Sequence, residues 1–500
     1  MRMRSLIFAA LLLVLPSAAN AEWHEASSPH FVIYADDNPV NIQRFSQELE
    51  RYHSALEYLT ERAQPAPSPS NRVTIYVVRN DAEVRRLAGD GSRYLQGFCR
   101  ARAGGSAAFI PKVEGGSREL DGSKLVLLHE YAHHFMLSGN PFGLPNWLSE
   151  GGAEFFASAS FKPDGGMLVG RPANHRAMEL LFAKDVSVRN LLDPDSYTPP
   201  VGRSYDAFYG KAWALFHYLT FEPVRGGQLD RYQILMRQGK SSREAGETAF
   251  GDFKVLEGEL EKYLKRSTLK TFVVAPEHLS PGATLMRKLS AGEAAMMPVI
   301  MQSKRGVDEA QAAKVVVEAR AVAARFPSDG RVLAALAEAE FDSGHDAEAV
   351  SAADKALAID PTLVNAWLQK GYALFRTAET SGDQSAFRRA RTVFAGLNRL
   401  ENDHPLPLVY YYRSFVHGGQ TVPQIAKQGL ERASELAPFD LSLRYSVAQM
   451  QLADGRKIPA RANLKAVAAN PHGGALSEQA QADLAELGPE VAPVVASPAK

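Results

Sequence analysis

The first half of the chain carries two kinds of hydrophobic pattern. Residues 28–34 and 73–78 are short apolar runs rich in β-branched and aromatic side chains, which predict strands. Residues 39–62 place apolar side chains three and four positions apart, which predicts an amphipathic helix. Residues 107–110 predict another short strand, near the edge of a sheet. This mixture predicts a domain of the α+β class.

From about residue 290 the pattern becomes helical and rich in alanine, and it repeats. Five prolines close alanine-rich helical segments at intervals of 34, 44, 33 and 33 residues: Pro327, Pro361, Pro405, Pro438 and Pro471. This pattern resembles the tetratricopeptide repeat, a helix–turn–helix unit of about 34 residues. The longest interval includes a polar insertion near residues 377–385. Stacked repeats leave a concave groove, which either binds peptide segments or holds the first domain in place.

The pattern loosens around residues 266–290, where Pro276, Pro281 and Gly282 fall close together. We therefore place the first domain at residues 22–275. An all-α solenoid of repeats then occupies residues 290–486. The last residues, 487–500, are rich in Pro, Ala and Val and are predicted to be disordered.

The strongest chemical signal is the sequence H-E-Y-A-H at residues 129–133. On a helix, His129 and His133 lie one turn apart on the same face, so both imidazoles can reach one zinc ion. Glu130 projects beside them, where a carboxylate can take the proton of a water that attacks a carbonyl group. Ser123 is predicted to cap the start of this helix. The pattern therefore predicts a metal-dependent hydrolytic site.

A second segment, P-N-W-L-S-E-G-G-A-E-F-F-A at residues 145–157, follows after a short loop. Two histidines and a water leave tetrahedral zinc one protein ligand short, and a carboxylate commonly fills that place. Glu150 is the candidate third ligand. Glu154, one helical turn further on, can bond the free ring N–H of a ligating histidine. Gly151-Gly152 indicates either a helix that begins late or a close approach of two helices at the metal.

Together the two segments resemble the gluzincin class of zinc metallopeptidases, especially bacterial peptidase-MA-like proteins, over roughly residues 23–265. The resemblance implies a thermolysin-like zincin domain, a Zn²⁺ cofactor and Glu150 as the third zinc ligand. It also implies that a tyrosine in a Y-x-K-[GA] segment stabilises the oxyanion, and Tyr209-Gly210-Lys211-Ala212 matches that segment. Tyr205 and His217 are alternates for this role. The chain has no G-x-M-E-N segment like that of the aminopeptidase branch, which favours an endopeptidase.

The net charge and the N-terminal segment indicate which partners to expect and where the protein is located. The chain has 56 basic and 56 acidic residues and no net formal charge, which gives no electrostatic reason to expect nucleic acid as a partner. Arg2 and Arg4 precede an apolar run and a small-residue cleavage site that ends at Ala21, the arrangement of a secretory signal peptide over residues 1–21. We expect a periplasmic or secreted bacterial protein whose mature chain has no membrane span. Its single cysteine, Cys99, is expected to be a small buried apolar side chain.

These observations support three hypotheses of function. The first is a zinc metallopeptidase in which Glu130 is the general base, Tyr209 stabilises the oxyanion, and the repeats bind the substrate or a partner protein. By the same resemblance, the strand at residues 107–110 pairs with an extended substrate backbone. The second is an envelope scaffold or adaptor with functional repeats and a vestigial zinc site. The third is a zinc hydrolase for a non-peptide bond, such as a cell-wall amide, although no sugar-binding segment supports it.

Overall fold

The computed structural model describes residues 22–89, 95–112, 121–139, 142–200, 205–470 and 473–488. The predicted signal peptide and the tail beyond residue 488 lie outside this part of the chain. Within it, an α/β region extends to residue 288, and a region built of helices follows. None of the described helices combines the length and the apolar composition that crossing a bilayer requires.

The strands of the α/β region form two sheets. The strands are β1 (Trp23–Ser27), β2 (Phe31–Asp36), β3 (Val73–Val78), β4 (Phe98–Arg100), β5 (Ala107–Pro111), β6 (Ser160–Phe161), β7 (Met167–Val169), β8 (Phe272–Val274) and β9 (Leu285–Lys288). The first sheet has the order β4-β5-β3-β2-β1-β9, and the second has the order β6-β7-β8. In the first sheet, β2, β3 and β5 run parallel, whereas β4, β1 and β9 pair antiparallel with their neighbours.

The helices of this region cover both faces of the first sheet. They are α1 (Pro39–Thr60), α2 (Asp81–Ala88), α3 (Gly122–Ser138), α4 (Asn146–Ala157), α5 (Ala177–Phe182), α6 (Val188–Leu192), α7 (Phe208–Phe221), α8 (Gln228–Arg237), α9 (Ser242–Phe250) and α10 (Phe253–Leu264). Helices α1 and α3 bury their apolar sides against one face, where Ile33, Leu49 and Leu128 share the main core. Helix α2 packs on the opposite face. The predicted combination of helices and strands is confirmed, but three parallel strands in the first sheet give the region α/β character in place of the predicted α+β class. The thermolysin-like fold stays a prediction.

Three local features differ from the sequence predictions. The predicted strand 107–110 exists as β5 near the edge of the sheet, but β4 lies outside it, so β4 and not β5 is the edge strand of the described sheet. Strand β9 pairs with β1, so the first sheet extends beyond residue 275, the predicted end of the first domain. Helix α3 is capped by Asp121 and not by Ser123, because the Asp121 side chain accepts the backbone N–H of Lys124 at 2.8 Å.

The second region is a stack of helix pairs. Its helices are α11 (Ala291–Arg305), α12 (Glu309–Arg325), α13 (Gly330–Asp342), α14 (Asp346–Ile359), α15 (Val364–Ser381), α16 (Gln384–Leu400), α17 (Pro405–His417), α18 (Gln424–Leu436), α19 (Leu441–Ala453), α20 (Lys457–Ala468) and α21 (Ala475–Glu486). Consecutive helices pack against each other along the whole stack. The predicted tetratricopeptide-like solenoid is therefore confirmed.

The long interval between repeat prolines is accommodated by two long helices. The polar insertion at residues 377–385 contains the end of α15, at Ser381, and the beginning of α16, at Gln384. The additional residues lengthen these two helices, which have 18 and 17 residues. Phe375, Phe387 and Phe394 then fill the larger space between them.

The repeat region packs against the α/β region at several places, of which two lie near its ends. At one end, Met297 and Met301 of α11 join the apolar cluster on the outer face of the first sheet. At the other end, Asp440 accepts the backbone N–H of Ala103 at 2.8 Å, and the Asn71 side chain donates to the Leu436 carbonyl at 2.7 Å. Between these contacts, α11, α13, α15, α17 and α19 face the sheet across a cavity of about 890 Å³. The inner side of the solenoid thus contacts its own chain.

Candidate metal centre

Helices α3 and α4 bring the predicted metal ligands together. His129 and His133 lie one turn apart on α3. Glu150 lies in the middle of α4, and α4 packs against α3. A side chain at Gly151 would place its Cβ 2.5 Å from the backbone oxygen of Ala212 on α7. Gly151 is therefore needed for the close approach of α4 to α7, and α4 does not begin late, since it starts at Asn146.

Three donor atoms converge on one point. The Nε2 atoms of His129 and His133 are 3.1 Å apart, and each lies 3.3 Å from Oε2 of Glu150. Ligands held at about 2.0–2.1 Å around a tetrahedral zinc ion are separated by about 3.3–3.4 Å. The two imidazoles and the carboxylate therefore fit a zinc ion in donor type and spacing. Within the described residues, this is the cluster whose side chains could hold a metal ion.

The Glu150 carboxylate is buried, and the surrounding protein groups do not satisfy its hydrogen-bonding capacity. Only 1% of its side chain is exposed, and within the described structure neither oxygen makes a hydrogen bond of good geometry. Burial raises the pKa of Glu150, but the adjacent His129 and His133 more than offset this and lower it to about 2. A buried, ionised carboxylate without hydrogen bonds is costly, and a bound cation would remove that cost.

Glu154 holds the other side of His129. Its Oε1 lies 3.2 Å from Nδ1 of His129, its Oε2 lies 2.6 Å from Nε2 of His175, and it also accepts from the Arg176 guanidinium. Burial opposes ionisation, but these three partners hold the pKa of Glu154 far below its ordinary range. A carboxylate on Nδ1 leaves Nε2 of His129 as the nitrogen that faces Glu150.

Ser149 has the corresponding position beside His133. Its hydroxyl lies 3.2 Å from Nδ1 of His133, so the Nε2 atom of this ring also faces the convergence point. For His129, burial lowers the pKa, but the contacts with the Glu150 and Glu154 carboxylates outweigh it and raise the pKa to about 9. Without a cation, the carboxylates thus favour a protonated His129.

Tyr209 lies at the same site, at the start of α7. The Arg176 guanidinium stacks over its ring at 4.8 Å from the centroid and so connects it to Glu154. Burial, together with the charges of Glu150, Glu154 and Glu130, raises the pKa of Tyr209 to about 12. Its phenol is therefore a hydrogen-bond donor at neutral pH.

The two alternates to Tyr209 have other surroundings. Tyr205 is two-thirds exposed. His217 is fully buried, with Nδ1 2.7 Å from the Tyr263 hydroxyl and Nε2 3.1 Å from two backbone carbonyls. Burial lowers the pKa of His217 to about 4, as expected for a neutral core histidine.

Glu130 borders a small cavity of about 350 Å³. His133, Cys99 and the start of α19 line the same cavity. Cys99 is only partly buried, and its pKa is raised to about 12 by the burial of its thiol and by the charge of Glu130. This high pKa keeps the thiol protonated at neutral pH.

Sequence reasoning missed three side chains of the site. Ser149 directly precedes Glu150. Its contact with His133 could have been predicted only if the orientation of α4 relative to α3 had been known. His175 and Arg176 lie in a short 3₁₀ turn, Asn174–Arg176, about twenty residues beyond Glu154. No periodic pattern links that turn to α4, so no signal in the sequence places it there.

Comparisons with known proteins return repeat proteins at low similarity. No protein-family model and no curated protein matches the chain. Among solved structures, it is similar to TTC0263, a tetratricopeptide-repeat protein of Thermus thermophilus, at 17% identity and a TM-score of 0.32, over 39% of this chain and 98% of that one. MamA matches at 16% identity and a TM-score of 0.27, covering 40% and 98% of the two chains. Yeast Tom70 matches at 14% identity and a TM-score of 0.27, covering 57% and 61%.

Proposed function

We propose that the chain is a zinc-dependent endopeptidase whose catalytic site lies between α3, α4 and α7. The observation that carries this proposal is the convergence of His129, His133 and Glu150 on one point, with spacings that suit tetrahedral zinc. Zinc, when bound, would supply Lewis-acid polarisation of the scissile carbonyl and lower the pKa of a water molecule.

The residues around the ligands have distinct roles in this proposal. Glu130 follows His129 on α3 and is the general base that accepts a proton from the attacking water. Tyr209, kept protonated by its surroundings, donates a hydrogen bond to the oxyanion that develops on the substrate. Glu154, itself held by His175 and Arg176, positions the ring of His129.

Glu130→Gln tests the general base directly. The amide keeps the shape of the side chain but cannot accept the proton, so we expect cleavage to fall by at least 10²-fold while zinc content stays unchanged. The measurement is cleavage of denatured casein by the mature chain, followed by mass spectrometry, together with elemental analysis.

Glu309→Gln is the matched control, because Glu309 is exposed on α12, away from the site. It should cleave like the wild type. Equal cleavage by Glu130→Gln and wild type would remove Glu130 from the mechanism.

A second candidate function is an envelope scaffold that acts through its repeats. Its support is the solenoid itself, which makes up the second half of the chain. None of the three similar structures named above is described as a peptidase. A chain that cleaves none of several denatured proteins and binds no zinc, yet captures a defined envelope protein, would favour this function.

The location and the partners belong to the same proposal. A cleaved signal peptide would place the mature chain in the periplasm or outside the cell, where unfolded or peptide substrates are the expected partners. Retention of the full-length chain in the cytoplasm after expression in a Gram-negative host would contradict that location.

A further inference from the structure

A small pocket beside Glu130 is built by both regions of the chain. We call it the side pocket; its volume is about 350 Å³. Leu127, Glu130 and Leu137 of α3 form one wall, Cys99 of β4 forms another, and Phe439 and Leu441 at the start of α19 close the third. The repeat region therefore contributes part of the surface next to the proposed general base.

The wall formed by the repeat region is firmly held in place. The Phe439 ring packs on the His134 ring with 4.2 Å between centroids, and only 5% of Phe439 is exposed. Asp440 accepts the Ala103 backbone N–H at 2.8 Å through one oxygen and caps α19 through the other. These contacts hold Leu441 in place opposite α3.

The lining of the side pocket is mainly apolar. Both carboxylate oxygens of Asp440 are engaged, one in the cap of α19 and one in the contact with Ala103. Leucine, phenylalanine and cysteine side chains line much of the interior, and Glu130 and His133 border it. A pocket of this size and polarity suits one large apolar side chain.

The edge strand gives a direction from which such a side chain could arrive. Among the described strands, β4 pairs with β5 alone, so its outer backbone groups can pair with an extended chain. Cys99 of this strand points to the core side shared with α3. In an extended chain paired with β4, every second side chain would face the same side as the side pocket.

We infer that the side pocket binds one large apolar side chain of an extended polypeptide substrate, and that Phe439 and Leu441 of the repeat region help to set this preference. The inference rests on the proposed peptidase function for the identity of the ligand. The solenoid then serves as a structural part of the substrate site, in addition to any partner that it binds elsewhere.

Photo-crosslinking tests the side pocket without requiring catalysis. The probe is an acetylated and amidated pentapeptide of alanine with photo-leucine at its centre, and the protein is the full mature chain carrying Glu130→Gln. We expect adducts on residues 439–442 or on Cys99. A fiftyfold excess of the same peptide with leucine should reduce these adducts at least fivefold, whereas the peptide with serine should not.

Two leucine variants test the contribution of the repeat region. Leu441→Ser should reduce the adducts at least threefold, because it removes an apolar wall of the side pocket. Leu452→Ser is the matched control, since Leu452 is a partly buried leucine of the same helix cluster that does not line the side pocket. Leu452→Ser should keep wild-type labelling, which would show that a leucine-to-serine change in this helix cluster does not by itself reduce the adducts.

The outcomes separate this inference from the proposed function. Adducts elsewhere, no adducts, or equal competition by the serine peptide would contradict the proposed role of the side pocket, even if the wild type cleaves proteins. Unchanged labelling of Leu441→Ser would remove the repeat region from the site. Specific labelling in a chain that cleaves nothing would support the side pocket and contradict the peptidase function.

Discussion

Two pairs of histidines lie inside the α/β region and have different surroundings. His129 and His133 meet edge to face, with ring centroids 4.7 Å apart, and share the Glu150 carboxylate. His30 and His53 stack with centroids 3.6 Å apart. In the stacked pair, Nδ1 of His30 lies 2.8 Å from Glu50 and Nδ1 of His53 lies 2.8 Å from the Tyr131 hydroxyl.

The difference shows that burial alone does not make a metal site. Burial lowers the pKa of His53 to about 3, so that ring is neutral and structural. In the first pair, Glu154 and Ser149 engage the Nδ1 atoms, and both Nε2 atoms face one carboxylate oxygen. Chelation requires donor atoms that converge on one point, as they do in the first pair.

The largest effect should come from removing the carboxylate of the stacked pair. Glu50 accepts both the backbone N–H and the Nδ1 of His30, at 2.9 and 2.8 Å, and its side chain is 1% exposed. Glu50→Ala should therefore destabilise the α/β region by about 3 kcal/mol. The midpoint of its thermal transition should fall by several degrees, as measured by calorimetry.

Glu261→Ala, at an exposed position of α10, is the control and should leave the midpoint within about 1 °C of the wild type, since such surface changes have small effects. A midpoint for Glu50→Ala as high as that of the control would show that the carboxylate of the stacked pair is not structural.

Glu154→Gln should weaken the metal site without dismantling it. Loss of the carboxylate charge loosens the hold on His129, and changes of this kind typically reduce metal affinity by 10–100-fold, or about 1.4–2.7 kcal/mol. Competition with a chromogenic zinc chelator measures the affinity. Glu179→Gln is the control, because Glu179 pairs with Arg176 but does not contact His129. If both variants bind zinc equally, Glu154 does not position the ligand.

The smallest expected effect is a dependence of stability on pH from His53. Its folded-state pKa of about 3 lies below its ordinary value of 6.5, so the unfolded chain binds more protons between these values. The contribution to stability is therefore complete above pH 6.5 and decreases as the pH falls below it. Between pH 7 and pH 5 this amounts to about 1–2 kcal/mol.

His53→Phe should remove the contribution of His53 to the decrease of stability between pH 7 and pH 5. The measurement is the unfolding midpoint at several pH values in this range. His278→Phe, at an exposed position, should retain the wild-type slope. Identical slopes for all three chains would mean that His53 is not buried in its neutral form.

The sequence contained the part of the site that follows helical spacing. Residues four apart on α3 and α4 gave the positions of His129, His133, Glu150 and Glu154, and the repeat period gave the solenoid. It did not contain the contacts between distant segments, such as His175 with Glu154, β9 with β1, or Asp440 with Ala103. These depend on how whole elements pack, which no local pattern encodes.

The most direct test of the account is zinc per chain, measured by elemental mass spectrometry on the purified mature protein. The wild type is compared with Glu150→Ala and with Glu50→Ala, which removes the buried carboxylate of the other histidine pair. The account predicts close to one zinc in the wild type and in folded Glu50→Ala, and almost none in Glu150→Ala. No zinc in the wild type, even after zinc is added, would contradict it.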